Sequence, residues 1–340
     1  MRPTIRNQHS PHYTALASRF VPILLVLAAF SAFLVAQEHY TVNRPITSTT
    51  PPIKRELLEN YNPRQIVPIQ WETDYDYARK RAESSTRALL IYLYTDEDLP
   101  EPTDQVPLPM AAACREFDTV VLDDDFVRGG LAWFVLLKLP IDATVTNEEG
   151  TETSILSLPG FEHMVGHPGL VVIDFAHRDT PYYGQVTGVL PFLQAVCPTE
   201  QQVVTFLRLP QGTLTQRTLT YAVRIHPDQP LCSEGEAPPI MVQLATEHAL
   251  SQAERGILGH YNFSQRSSRA KDVLGGGMPS EICAQSRSGI GLYEGAIACM
   301  RLWRYSSAHW SIAKKNHRYY GFDMAHGKNG AWYAVGFFID

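Results

Sequence analysis

Four residues in the last hundred are of types that could carry chemistry. They are His260 in Gly-His-Tyr-Asn-Phe, Glu281 in Ser-Glu-Ile-Cys-Ala, and Ser306 and His309 in Ser-Ser-Ala-His-Trp. Two imidazoles and one carboxylate with an open position suffice in type to bind Zn²⁺, with His260 and His309 as metal ligands. They equally suffice for a metal-free polar cluster that orders a groove. A hydrolase would need a nucleophile with a base and an oxyanion hole, and the motif does not supply that set. Ser306 and Ser307 lie close to His309 in sequence, a spacing that is common by chance.

The elements that must position these residues are legible around them. Residues 242–258 read as a helix with Leu244, Ala245, Leu250, Ala253 and Ile257 as its apolar set. His248 falls inside it and His260 just past its end, where the macrodipole favours positive charge. A second helix closes at Trp303, ahead of His309. Residues 319–325 and 331–338 read as a hairpin turned at Asn329-Gly330. Its alternation puts Trp332, Ala334 and Gly336 on one face and Tyr333, Val335 and Phe337 on the other, as a sheet covered by helices on both sides requires. Trp303 reads as core, and Trp310 and Trp332 as core or groove wall.

The order of these motifs resembles the CAP superfamily of cysteine-rich secretory, antigen 5 and pathogenesis-related domains. The resemblance implies an α/β/α sandwich over residues 240–340 whose groove is lined by His260, Glu281, Ser306 and His309. In it Ser280 and Ile282 replace the family's Gly and Asn around the Glu, and Ser306 stands where eukaryotic members carry a second Glu. Lipids, sterols, peptides and wall polymers are the ligand classes the resemblance brings.

Upstream, residues 73–87 read as a helix capped by Thr73 or Asp74, followed by the apolar strand Ala-Leu-Leu-Ile-Tyr-Leu-Tyr at 88–94. Cys114 precedes the strand at 132–139, and His167-Pro168-Gly169 leads into the strand at 170–175. A closing helix is expected at 189–197. This order resembles the thioredoxin fold over residues 64–198. The resemblance makes Pro168 a cis-proline candidate, yet a Cys-x-x-Cys is missing: Tyr94-Thr-Asp-Glu-Asp and a Pro-rich insertion stand in its place. A dithiol needs one sulfur to attack and a second to resolve, so Cys114 remains only as a monothiol redox candidate. The fold class expected is α/β, a thioredoxin-like α/β/α domain followed by a CAP-like sandwich. The combination is similar to two-domain proteins of planctomycete-type bacteria.

The chain has 340 residues, enough for two cores, and a net charge of −6 with no Lys/Arg cluster outside the N-terminal tail, which argues against a nucleic-acid partner. Arg2, Arg6 and Arg19 precede the apolar run at 20–36, so residues 1–36 read as a signal anchor or a cleaved signal peptide, with the membrane as partner. Residues 37–63 are a Thr/Pro-rich tether. Residues 199–239 read as a β connector and linker. With five cysteines, Cys197 with Cys232 and Cys283 with Cys299 are possible bridges. The function expected is a non-enzymatic envelope protein, extracytoplasmic and either membrane-anchored or secreted, whose groove binds a lipid, peptide or cell-wall ligand. The alternatives are a metal-dependent or His/Glu hydrolase and, more weakly, the Cys114 redox protein.

Overall fold

The computed structural model describes residues 69–97, 109–147 and 150–340, all within one compact unit. The apolar run at 20–36, the tether and most of the Pro-rich insertion lie outside them. No helix among the described residues is long and apolar enough to cross a membrane.

The chain is a mixed α/β fold. Helix α1 (Tyr75–Ser85) starts at Asp74, whose carboxylate accepts from the Tyr77 amide at 2.8 Å. Strand β1 (Leu89–Tyr94) follows, then α2 (Met110–Thr119), α3 (Asp125–Leu131) and β2 (Val135–Pro140). A small hairpin of β3 (Thr144–Thr146) and β4 (Glu152–Ser154) leads through a 3₁₀ turn at Phe161–Met164 to β5 (Gly169–Ile173) and β6 (Val186–Pro191). The sheet order is β2-β1-β5-β6, with β1 parallel to β2 and the other pairs antiparallel. Leu90 and Tyr92 face α2 and α3, while Leu89, Ile91 and Leu93 face α1 and the 3₁₀ turn. Burial on both faces is why this strand is apolar throughout, each such side chain contributing about 1.5–3 kcal/mol. Gly169 is obligatory: its φ is +146°, and a Cβ there would lie 2.2 Å from the Leu190 carbonyl oxygen.

Two expectations fail in the next stretch. Residues 189–197 do not form the closing helix; they finish β6 at Pro191 and make a short 3₁₀ turn at Leu193–Ala195, and the helix is α4 (Glu200–Leu207), capped by Thr199. The expected β connector is instead helical, as α4 and then α5 (Leu214–Arg224). Thr213 and Gln216 form a capping box that nucleates α5, each side chain taking the other's backbone amide. Every residue from 217 to 223 is buried, Tyr221 in the core of the first sheet and Leu219, Ala222 and Val223 in that of the second. Leu219, Ala222 and Val223 recur at the helical i, i+3, i+4 spacing, a period that the rough alternation of Thr, Leu and Tyr obscured in the sequence.

The second half contains α6 (Pro239–Arg255), α7 (Phe263–Leu274), β7 (Ser280–Gln285), α8 (Leu292–Tyr305), α9 (Ser307–Ala313), β8 (Tyr319–His326) and β9 (Trp332–Ile339). The expected hairpin forms as β8 and β9, and β7 adds to the other side of β9 to give the antiparallel order β7-β9-β8. Trp332 and Ala334 pack with α5 and α8, and Tyr333, Val335 and Phe337 with α6. Trp310 joins Trp332 and Trp303 in the α8-side core.

All five cysteines are free thiols. The bridges left open by the sequence do not form. Cys283 packs on the α6 side of the sheet and Cys299 on the opposite side, so the strands themselves separate them. Cys197 likewise packs against the first sheet's core and Cys232 within the second's.

Candidate functional site

Helix α6 ends at Gly256, whose left-handed φ of +67° closes its last turn. The chain then runs through His260 to Asn262, which takes a φ of +55° and turns it into α7. That turn brings His260 back over β7. Its Nδ1 donates to Glu281 Oε1 at 2.9 Å, which leaves Nε2 directed away from the carboxylate, and the side chain is half exposed. At the far side, α8 stops at Ser306, whose hydroxyl accepts from the His309 amide at 3.4 Å and caps α9. Because α9 packs on β7, the His309 ring stands 6.0 Å from that of His260, centroid to centroid. The structure therefore brings His260, Glu281 and His309 together, with Ser306 at the helix junction beside them.

Glu281 is the floor of this arrangement, and its carboxylate is saturated. Arg266 on α7 donates Nε to Oε2 at 2.8 Å and Nη2 to Oε1 at 2.9 Å, a bidentate pair. His248 places Nε2 3.5 Å from Oε1, although its hydrogen bond goes to the Gly259 carbonyl at 2.8 Å. Burial alone would raise the Glu281 pKa; the His260 hydrogen bond, His248 and Arg266 outweigh it and hold the group below its ordinary value. Burial, followed by the neighbouring His260, lowers the pKa of His309, so its neutral form is favoured. Burial likewise lowers His248.

Arg266 escaped the sequence reading, and His248 and Cys283 were read there only as a helix residue and a possible bridge partner, not as members of this cluster. The one available signal was strand alternation, which puts Cys283 on the face of Glu281. Its sulfur lies 3.7 Å from both Glu281 Oε1 and His260 Nδ1. His248, Glu281 and Cys283 offer donor atoms within 4.8 Å of one another. They do not suit a cation: Arg266 already neutralises Glu281, the Gly259 carbonyl engages His248, and burial, then Glu281, push the Cys283 thiol well above its ordinary value.

No family model matches the chain, and no curated protein does. Among solved structures it is similar to an outer surface protein from Borrelia burgdorferi, at 18% identity, covering 31% of this chain and 77% of that one, with a TM-score of 0.26. So slight a likeness transfers neither fold nor role.

The other candidates sit elsewhere. Cys114 is buried within α2, its carbonyl accepting from the Tyr92 hydroxyl at 3.3 Å, and burial pushes its thiol up, opposite to what a reactive thiolate needs. Pro168 is buried directly before β5, where its carbonyl accepts from the Phe192 amide at 2.8 Å and extends the β5-β6 ladder.

Proposed function

We propose that the second half of the chain is a CAP-like ligand-binding module of an exported or membrane-anchored protein, acting by binding rather than by hydrolysis. The observation that carries this reading is the saturation of Glu281. A carboxylate already engaged by a bidentate arginine and an imidazole serves as an anchor for His260, and as a poor base for activating water. The Ser306 hydroxyl is engaged in capping α9. What faces outward is a pair of imidazoles, one oriented by a buried carboxylate in the manner of metal-ligating histidines.

This donor set fits Zn²⁺, with His260 Nε2 and His309 as the holders and Glu281 as the group that orients His260. Bound there, the ion would supply a Lewis-acidic centre for a ligand headgroup. Exposed apolar side chains on the segments that carry the imidazoles and Glu281 favour a lipid among the expected ligands. Leu258, Met278 and Tyr305 stand two, three and four residues before His260, Glu281 and His309, and are 43%, 74% and 72% exposed. Export rests on the basic start and the apolar run at 20–36.

The test is photo-crosslinking of a diazirine fatty acid in membranes carrying the full chain. Labelling is expected on the peptides with His260 and Tyr305, competed by unlabelled fatty acid and lost in Met278→Ala/Tyr305→Ala. Labelling confined to other peptides would sink the reading. Calorimetric Zn²⁺ titration beside His260→Ala/His309→Ala settles whether the ion is part of it.

A further inference from the structure

A cleft opens at the edge of the first sheet, lined by none of the residues around the imidazole pair, with a volume of about 640 Å³. Two ion pairs and a tryptophan line it. Lys138 Nζ on β2 donates to both oxygens of Asp118 at 2.8 and 2.9 Å, and lies 4.9 Å from the ring centroids of Tyr92 and Tyr94. Arg128 on α3 donates to Asp123 at 3.1 Å. Trp71 is half-buried, with its ring 6.1 Å from that of Tyr92.

The charges in this cleft cancel, two carboxylates against two cations. A phosphate or carboxylate ligand would have to displace Asp118 from Lys138, and an amine would have to displace Lys138 from Asp118. Separating Asp118 from Lys138 leaves a partly buried charge without its partner. A hydroxyl group needs no such exchange, because it donates to a free carboxylate lone pair and accepts from a cation at once. The half-buried indole adds an apolar face with two tyrosine rings behind the lysine, a surface suited to the C–H side of a sugar ring.

We propose that this cleft is a saccharide-binding site for a neutral glycan, with Trp71 as platform and the Asp118–Lys138 and Asp123–Arg128 pairs as its hydrogen-bonding rim. It would give the protein a second attachment, to a neutral polysaccharide, independent of the imidazole groove.

The test is calorimetry on the full chain in a zwitterionic detergent free of sugar headgroups, titrated with chitotriose and with cellotriose. Saturable binding of at least one is expected, weakened about tenfold or more, about 1.4 kcal/mol, in Trp71→Ala and in Asp123→Ala. Trp71 packs on Tyr92, so its loss risks the fold. The Asp123 side chain is 77% exposed, so its variant keeps the test decisive. His260→Ala/His309→Ala should leave saccharide binding unchanged. No binding of either sugar, binding indifferent to Asp123→Ala, loss in the double histidine variant, or displacement by inorganic phosphate would each overturn the proposal.

Discussion

Glu281 and Asp323 are both buried carboxylates, on the two outer strands of one three-stranded sheet, and they have been given opposite environments. Glu281 meets a guanidinium and two imidazoles. Asp323 meets only neutral donors: the hydroxyls of Thr215 at 2.7 Å and Thr246 at 2.6 Å, the Gln216 amide at 3.2 Å and the Met324 backbone at 2.8 Å. Burial raises the Asp323 pKa and these four bonds only partly offset it, whereas the cationic partners of Glu281 reverse the effect of burial. Comparable burial therefore gives one carboxylate held as an anion beneath an exposed histidine and another that clips α5 and α6 onto β8. Partner charge, rather than depth, separates a group built to orient a site from one built to join elements.

Arg266→Met should show the difference most strongly. It strips the cation from buried Glu281 and should cost about 3–5 kcal/mol in urea unfolding at neutral pH, with Glu281→Gln in the same background restoring part of the loss. A smaller cost than that of any Asp323 variant would break the comparison. Asp323→Ala comes next, at about 1–3 kcal/mol, because three side-chain donors lose a shared acceptor; Asp323→Asn, which keeps a carbonyl oxygen, should cost clearly less.

Acid titration of stability should separate the two by sign. The folded pKa of Glu281 lies below its unfolded value, so its contribution is present above the ordinary carboxylate range and disappears as pH falls through the folded value. The folded pKa of Asp323 lies above its unfolded value, so its contribution is present in acid and is lost as pH rises through the folded value. Urea unfolding as a function of pH should accordingly show a flatter acid limb in Glu281→Gln and a steeper one in Asp323→Asn. The smallest effect belongs to Thr213→Ala, about 1 kcal/mol from the lost α5 cap. That cap presents Thr215 and Gln216 to Asp323, so the cost should shrink in an Asp323→Ala background, as a double-mutant cycle would measure.

Local signals read from the sequence alone were those in which neighbours in the chain decide the outcome. Asp74 as a cap, the two-faced apolar strand at Leu89–Tyr94 and the turn at Asn329-Gly330 each depend on a few adjacent residues, and each formed where expected. His260, Glu281 and His309 were singled out as a set by the order of their motifs, which is what carries the CAP resemblance. Tertiary structure alone decided the rest. Thr-rich α5 became a helix because it fills the space between two sheets, a setting that overrides its strand-like composition. Cys283 and Cys299 lie on opposite faces of one sheet, which no spacing reveals. Arg266 found Glu281 15 positions away through the turn at Asn262. Partners for buried charge are chosen by desolvation, and desolvation exists only once the chain has closed around them.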